Sequence, residues 1–100
     1  MKKLVAIYCN ISITAEVEAL LKKEGIAGYT EFPRIVGTGP LTGPRLDSHV
    51  WPGANAGFHI VCDESTAKSL MQGVREFRQT ELGTQSGIFA FTTSVEEIVE

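Results

Sequence analysis

Between Gly37 and Asn55 the chain reads Gly-Thr-Gly-Pro-Leu-Thr-Gly-Pro-Arg-Leu-Asp-Ser-His-Val-Trp-Pro-Gly-Ala-Asn, a stretch that concentrates residue types able to do chemistry. Glycines leave backbone N–H groups free to face an anion, and Arg45 supplies a planar guanidinium that matches carboxylate or phosphate with paired donors. A second glycine-bearing segment, Gly83-Thr84-Gln85-Ser86-Gly87, has the same character. If the fold brings the two together beside a helix start, they form an anion or phosphate cradle. Gly37-Thr38-Gly39 lacks the remaining glycine of a dinucleotide fingerprint, and no Walker-type Gly-Lys-Thr occurs. Trp51 is the only tryptophan and either anchors the loop or covers a ligand. Cys9, Asp47 and His49 can compose a borderline metal site if the loop folds back over the end of the first strand. Cys9 with His49 is also a formal nucleophile and base, but neither carries a recognised local motif, so catalysis is not expected.

The elements that must position these residues follow from periodicity. Residues 3–9 form a continuous apolar run of strand length, as in a central strand. From Ile13 the apolar positions Ile13, Val17, Leu20 and Leu21 have helical spacing; Ser12 or Thr14 can cap the start and Gly25 stops the helix. Residues 28–36 read as a second strand that Pro33 assigns to an edge. Residues 56–62 read as a third strand, and a helix follows it with Ala67, Leu70, Met71, Val74 and Phe77 on one stripe, ending near Gly83. Residues 88–92 make a fourth strand, and Ser94 with Glu97 has capping-box spacing for a last helical turn. The connection at 37–55, about 19 residues, exceeds ordinary hairpin loops and is expected to be a long mobile loop without secondary structure.

The order βαββαβ is that of an α+β domain spanning residues 1–100. The economical arrangement is an antiparallel sheet in the order 4-1-3-2 with two helices on one face. Leu4, Ala6 and Tyr8 then face one way and Val5, Ile7 and Cys9 the other, while Ile88 and Ala90 oppose Phe89 and Phe91. Both faces are apolar and the helices shield one, so self-association through the other is expected. His59 falls on the side opposite Phe58 and Ile60, as a core or interface residue.

Twelve acidic residues against nine basic ones give a net charge of −3, with no cationic stripe, so nucleic acid is not an expected partner. The first apolar run ends after about six residues, short of the ~7 to 15 of an export signal, and nothing approaches the ~20 of a membrane span. A cytoplasmic protein with no direct membrane insertion is expected. Cys9 and Cys62 read as small buried hydrophobes at opposite ends of the sheet, too far apart to pair.

The opening Met-Lys-Lys-Leu-Val-Ala-Ile, the helix from Val17 to Gly25, Gly28-Tyr29-Thr30, Gly37-x-Gly39, and the third strand with Asp63-Glu64 at the following helix start together resemble PII nitrogen regulatory proteins. Arg45 to Trp51-Pro-Gly-x-Asn55 looks more like the compact PII-like branch. The resemblance covers nearly the whole chain, and CutA-like proteins share the architecture. It implies a ferredoxin-like homotrimer that binds an effector in clefts between subunits, an adenine nucleotide or small anion, and signals through the 37–55 loop to a transporter, enzyme or other regulator. By position, Thr30, Gly37, Thr38, Gly39, Arg45, Gly83, Thr84 and Gly87 would bind the ligand; Arg45, Asp47, His49 and Trp51 would meet the partner. A divalent-metal-binding trimer using Cys9, Asp47 and His49 is the CutA-like alternative. The segment Leu82 to Phe89 has no Lys or Arg, and no basic C-terminal residues follow as they do in PII proteins, so phosphate compensation is lower than the family provides. The tyrosine uridylylated in some relatives is absent from the loop.

Overall fold

The computed structural model describes residues 1–40, 43–46 and 53–100. Its frame is a four-stranded antiparallel sheet built from β1 (Lys2–Asn10), β2 (Thr30–Ile35), β5 (Asn55–Asp63) and β6 (Ile88–Ser94), in the spatial order β2-β5-β1-β6. A separate two-stranded ribbon pairs β3 (Gly37–Gly39) with β4 (Gly43–Arg45). Helices α1 (Thr14–Lys23), α2 (Glu64–Arg78) and α3 (Glu81–Ser86) complete the elements among the described residues, and a 3-10 turn at Ile11–Ile13 leads into α1.

The core lies on one side of the sheet. Val5, Ile7 and Cys9 of β1 pack with Ala56, Phe58, Ile60 and Cys62 of β5, and with Ile13, Val17 and Leu21 from the first helical segment and Ala67, Leu70 and Val74 from α2. Each of the Val, Ile, Leu and Phe side chains withdrawn from water contributes about 1.5–3 kcal/mol. The two helices approach closely where Gly73 faces Leu20: a Cβ there would lie 2.7 Å from Leu20 Cδ1. The glycine that interrupts the α2 stripe is thus the point of contact with α1. Both cysteines are free and buried.

Several local expectations are corrected. The 37–55 connection is not wholly without secondary structure, because Thr38 pairs with Pro44 between the pairs Gly37/Arg45 and Gly39/Gly43. A two-stranded ribbon has only edges, so the proline's missing N–H can face outward without breaking a ladder. Residues 83–87 are not a simple turn: α2 ends at Arg78, and Thr80 caps the short helix α3, its Oγ1 accepting from Gly83 N at 3.1 Å. Neither Ser12 nor Thr14 is the N-cap of α1; that position is Ile13, while Asn10 caps the preceding 3-10 turn by accepting from Ser12 N. Ser94 ends β6 rather than opening a helical turn, and Val95 N donates to Lys2 O, prolonging the attachment to β1. Pro33 sits in an edge strand whose register with β5 shifts between Phe32 and Ile35.

Candidate ligand-binding cleft

The far end of β1 gathers three chain segments through backbone bonds. Asn10 N donates to Gly87 O at 3.1 Å and Ile11 N donates to Ala54 O at 3.1 Å, so the entry to β6 and the entry to β5 are both fastened to the exit of β1. Gly87, at φ 86°, makes the turn out of α3 that this requires. Arg45 adds the ribbon: one guanidinium nitrogen donates to Asn55 Oδ1 at 3.1 Å and the other to the Ser86 carbonyl at 2.9 Å. β4, β5 and the end of α3 are thereby tied to one side chain.

Beside this junction lies a cleft of about 940 Å³. Gly37, Thr38, Gly39 and Pro40 form one rim and Gly83, Thr84 and Gly87 the other; Tyr8, Phe32, His59 and Phe89 supply aromatic surface, and Ile35, Val36, Cys9 and Ile88 apolar surface. Tyr8 lies across from Gly57, where a Cβ would stand 3.0 Å from its ring, and its hydroxyl shares a 3.0 Å hydrogen bond with His59 Nε2. Phe32 meets the His59 ring edge-on at 4.9 Å. The charge pattern is one-sided: Arg45 and Arg78 line the cleft, and none of its described lining residues is Asp or Glu, in a chain that has 12 of them. Such a site favours an anion with an apolar or aromatic body.

Of the eight residues expected to bind a ligand, Gly37, Thr38, Gly39, Arg45, Gly83, Thr84 and Gly87 surround this one cleft. Thr30 does not: it is exposed and pairs with His59 on the sheet. No described lining residue comes from α1, so the helix start expected in the cradle is displaced, since the 3-10 turn carries the chain away to bury Ile13 on the helical side. Asp47, His49 and Trp51 lie outside the described residues. Burial pushes the Cys9 thiol up to about 11, with a hydrogen bond at the Ala56 backbone and the nearby Arg45 charge acting the other way. At neutral pH it is a protonated thiol, a poor nucleophile and a poor metal ligand. Among the described residues no group of three or more His, Cys, Asp or Glu is placed to hold a metal.

Sequence reasoning missed Tyr8, Phe32, Asn55, His59, Arg78 and Phe89 as cleft residues. Tyr8 and Phe89 are cross-strand partners in register, so their shared face was available from strand alternation. Arg78 looked like an ordinary basic residue in the last turn of a helix, and nothing in its neighbourhood marks it otherwise.

No protein-family model and no curated protein matches this sequence. Solved structures do. CPII, a nitrogen regulatory PII-like protein from Thiomonas intermedia K12, superposes with a TM-score of 0.70 at 19% identity, over 94% of this chain and 87% of that one. The chain has a PII-like fold. A PII-like signalling protein from Thermus thermophilus aligns at TM-score 0.63 and 22% identity, over 92% of this chain and 84% of the other. A DUF3240 family protein from Shewanella baltica aligns at 0.71 and 12% identity, covering 99% and 94%. The CPII structure is bound to ADP, AMP and bicarbonate. Among the described residues of the present chain, no helix is long and apolar enough to cross a membrane.

Proposed function

We propose that this chain is a non-catalytic PII-like regulator, one cytoplasmic ferredoxin-like domain with four long strands in the order fourth-first-third-second and two helices on one face. It works as a homotrimer that senses a small anionic ligand or nucleotide in clefts between subunits and signals through the 37–55 loop to a partner protein such as a transporter or enzyme. The observation that carries this reading is the cleft lined by two guanidiniums and no described carboxylate on a chain of net charge −3. Adenine nucleotides and bicarbonate are the first effectors to consider, given what CPII holds.

The open sheet face supports the assembly. Tyr8, Phe32, His59 and Phe89 line the cleft and lie on the face that the helices do not cover, so a copy packed over that face would also wall the cleft. The ribbon β3/β4, at the cleft rim and tied by Arg45 to Asn55 and Ser86, is placed to change arrangement when a ligand fills the cleft. Titration calorimetry with ADP, AMP and bicarbonate should give binding at one site per subunit, weakened in Arg45→Ala. Silence across the panel, with the variant indistinguishable, contradicts the reading. Alanine substitution of Asp47, His49 and Trp51 should abolish capture of the partner while leaving effector binding measurable.

A further inference from the structure

The two cations of the cleft are not equivalent. Arg45 is half-buried and engaged at both ends of its fork, with Asn55 Oδ1 at 3.1 Å and the Ser86 carbonyl at 2.9 Å. Those bonds join three chain segments, so moving the guanidinium to a ligand loosens the site it would bind in. Arg78 is exposed, ends α2, and no described residue bonds to its guanidinium. Its backbone is nevertheless firmly placed. Thr84 Oγ1 donates to the Arg78 carbonyl at 3.0 Å, Thr80 Oγ1 donates to the Phe77 carbonyl at 2.6 Å, and Gly83 sits so close that a Cβ would fall 2.0 Å from Phe77 O. The joint between α2 and α3 is therefore rigid, and Arg78 leaves it at the cleft rim beside Gly83 and Thr84.

A basic residue at a helix C-terminus is ordinarily explained by the helix dipole. Here Arg75 already stands in the same turn, bonded to Gln72, and the dipole does not explain why Arg78 borders an aromatic cleft free of described carboxylates. We infer that Arg78 is the specificity-determining cation of this cleft, meeting the phosphate of an effector built as an aromatic body with one phosphomonoester, while Arg45 holds the cleft's shape. A phosphomonoester carries about −1.5 to −2 at neutral pH, a charge that two guanidiniums balance and a triphosphate exceeds. The aromatic body rests on Phe32, Phe89 and Tyr8.

This inference rests on the sensor reading above, and the test separates the two. The full-length protein and its Arg78→Gln and Arg78→Lys variants are titrated with AMP, ATP, adenosine and inorganic phosphate, with thermal midpoints measured alongside. Expected are tighter binding of AMP than of the other three ligands, an AMP affinity about tenfold lower in Arg78→Gln and partly restored in Arg78→Lys, and unchanged adenosine affinity and midpoint. Equal AMP binding by wild type and Arg78→Gln overturns the role of Arg78 and leaves the sensor reading standing. ATP binding as tight as AMP overturns the single-phosphate preference, and phosphate binding as tight as AMP overturns the aromatic subsite. A wild-type protein that binds bicarbonate but no nucleotide overturns this inference alone; one that binds nothing in either panel overturns both.

Discussion

The two faces of the sheet are made by alternate residues of the same strands, yet they meet different surroundings. Val5, Ile7, Phe58 and Ile60 point toward α1 and α2 and are fully buried, whereas Phe89, Phe91 and Val61 point the other way and are 62%, 40% and 49% exposed. Apolar character is similar on both sides; cover is not. Two helices span one face of a four-stranded sheet, and the second face keeps a cluster in which the Phe91 ring lies 6.3 Å from that of Tyr8 and 6.1 Å from that of Phe89. A monomer rarely leaves such a cluster in water, so the uncovered face is where the proposed assembly would place another copy.

Truncation gives the sharpest contrast. Phe58→Ala should cost about 3–5 kcal/mol in urea unfolding, because it opens a cavity among residues from both helices. Phe89→Ala, on the uncovered face of the same sheet, should leave the folded monomer's stability within about 1 kcal/mol and act on self-association instead. Equal losses at the two positions would erase the distinction.

A smaller effect comes from Cys9 on the covered face. Its thiol stays protonated up to about 11 when folded and ionises at the ordinary 9.0 when unfolded. Between those values the unfolded chain binds fewer protons, so stability falls as pH rises through that window. Cys9→Ala should flatten the fall, as read from unfolding curves at pH 8.5 and 10.5; an unchanged slope would show that the thiol is not shielded.

The smallest effect belongs to the rim of the open face. Lys2 Nζ and Asp63 Oδ1 are 3.0 Å apart with both side chains well exposed, and the pair holds the Asp63 carboxyl below its usual range and Lys2 above its own. The carboxylate's share of stability is present above pH 3.8, its ordinary value, and is lost as pH falls through the lowered one. The lysine's share is present below 10.5 and is lost as pH rises through the raised value. Lys2→Ala should return the Asp63 titration upward by NMR with no detectable change in unfolding midpoint at neutral pH.

Much of the frame was legible because periodicity reports burial directly. The apolar run at residues 3–9, the stripe Val17/Leu21 and the stripe Ala67/Leu70/Val74 all correspond to buried surfaces, and the antiparallel α+β sheet follows from them. Seven glycine, threonine and arginine positions named from the sequence do gather at one cleft, because they sit at strand and helix ends that the topology brings together. What escaped depends on tertiary contact. Gly and Pro at 37–45 signal a loop locally, and only pairing across Thr38 and Pro44 makes them a ribbon. Thr80 acquires its capping role only when Gly83 docks on Phe77, and Arg78 joins the cleft through that same contact. Asn55 became relevant only as the acceptor of Arg45.

Sedimentation equilibrium of the wild-type protein beside a Phe89→Asp, Phe91→Asp double variant, both at micromolar concentration, addresses the uncovered face most directly. The wild type should sediment at about three times the 10.9 kDa chain mass, and the double variant, still folded by circular dichroism, at that of one chain. A wild-type protein that sediments as a single chain across that range would contradict the account.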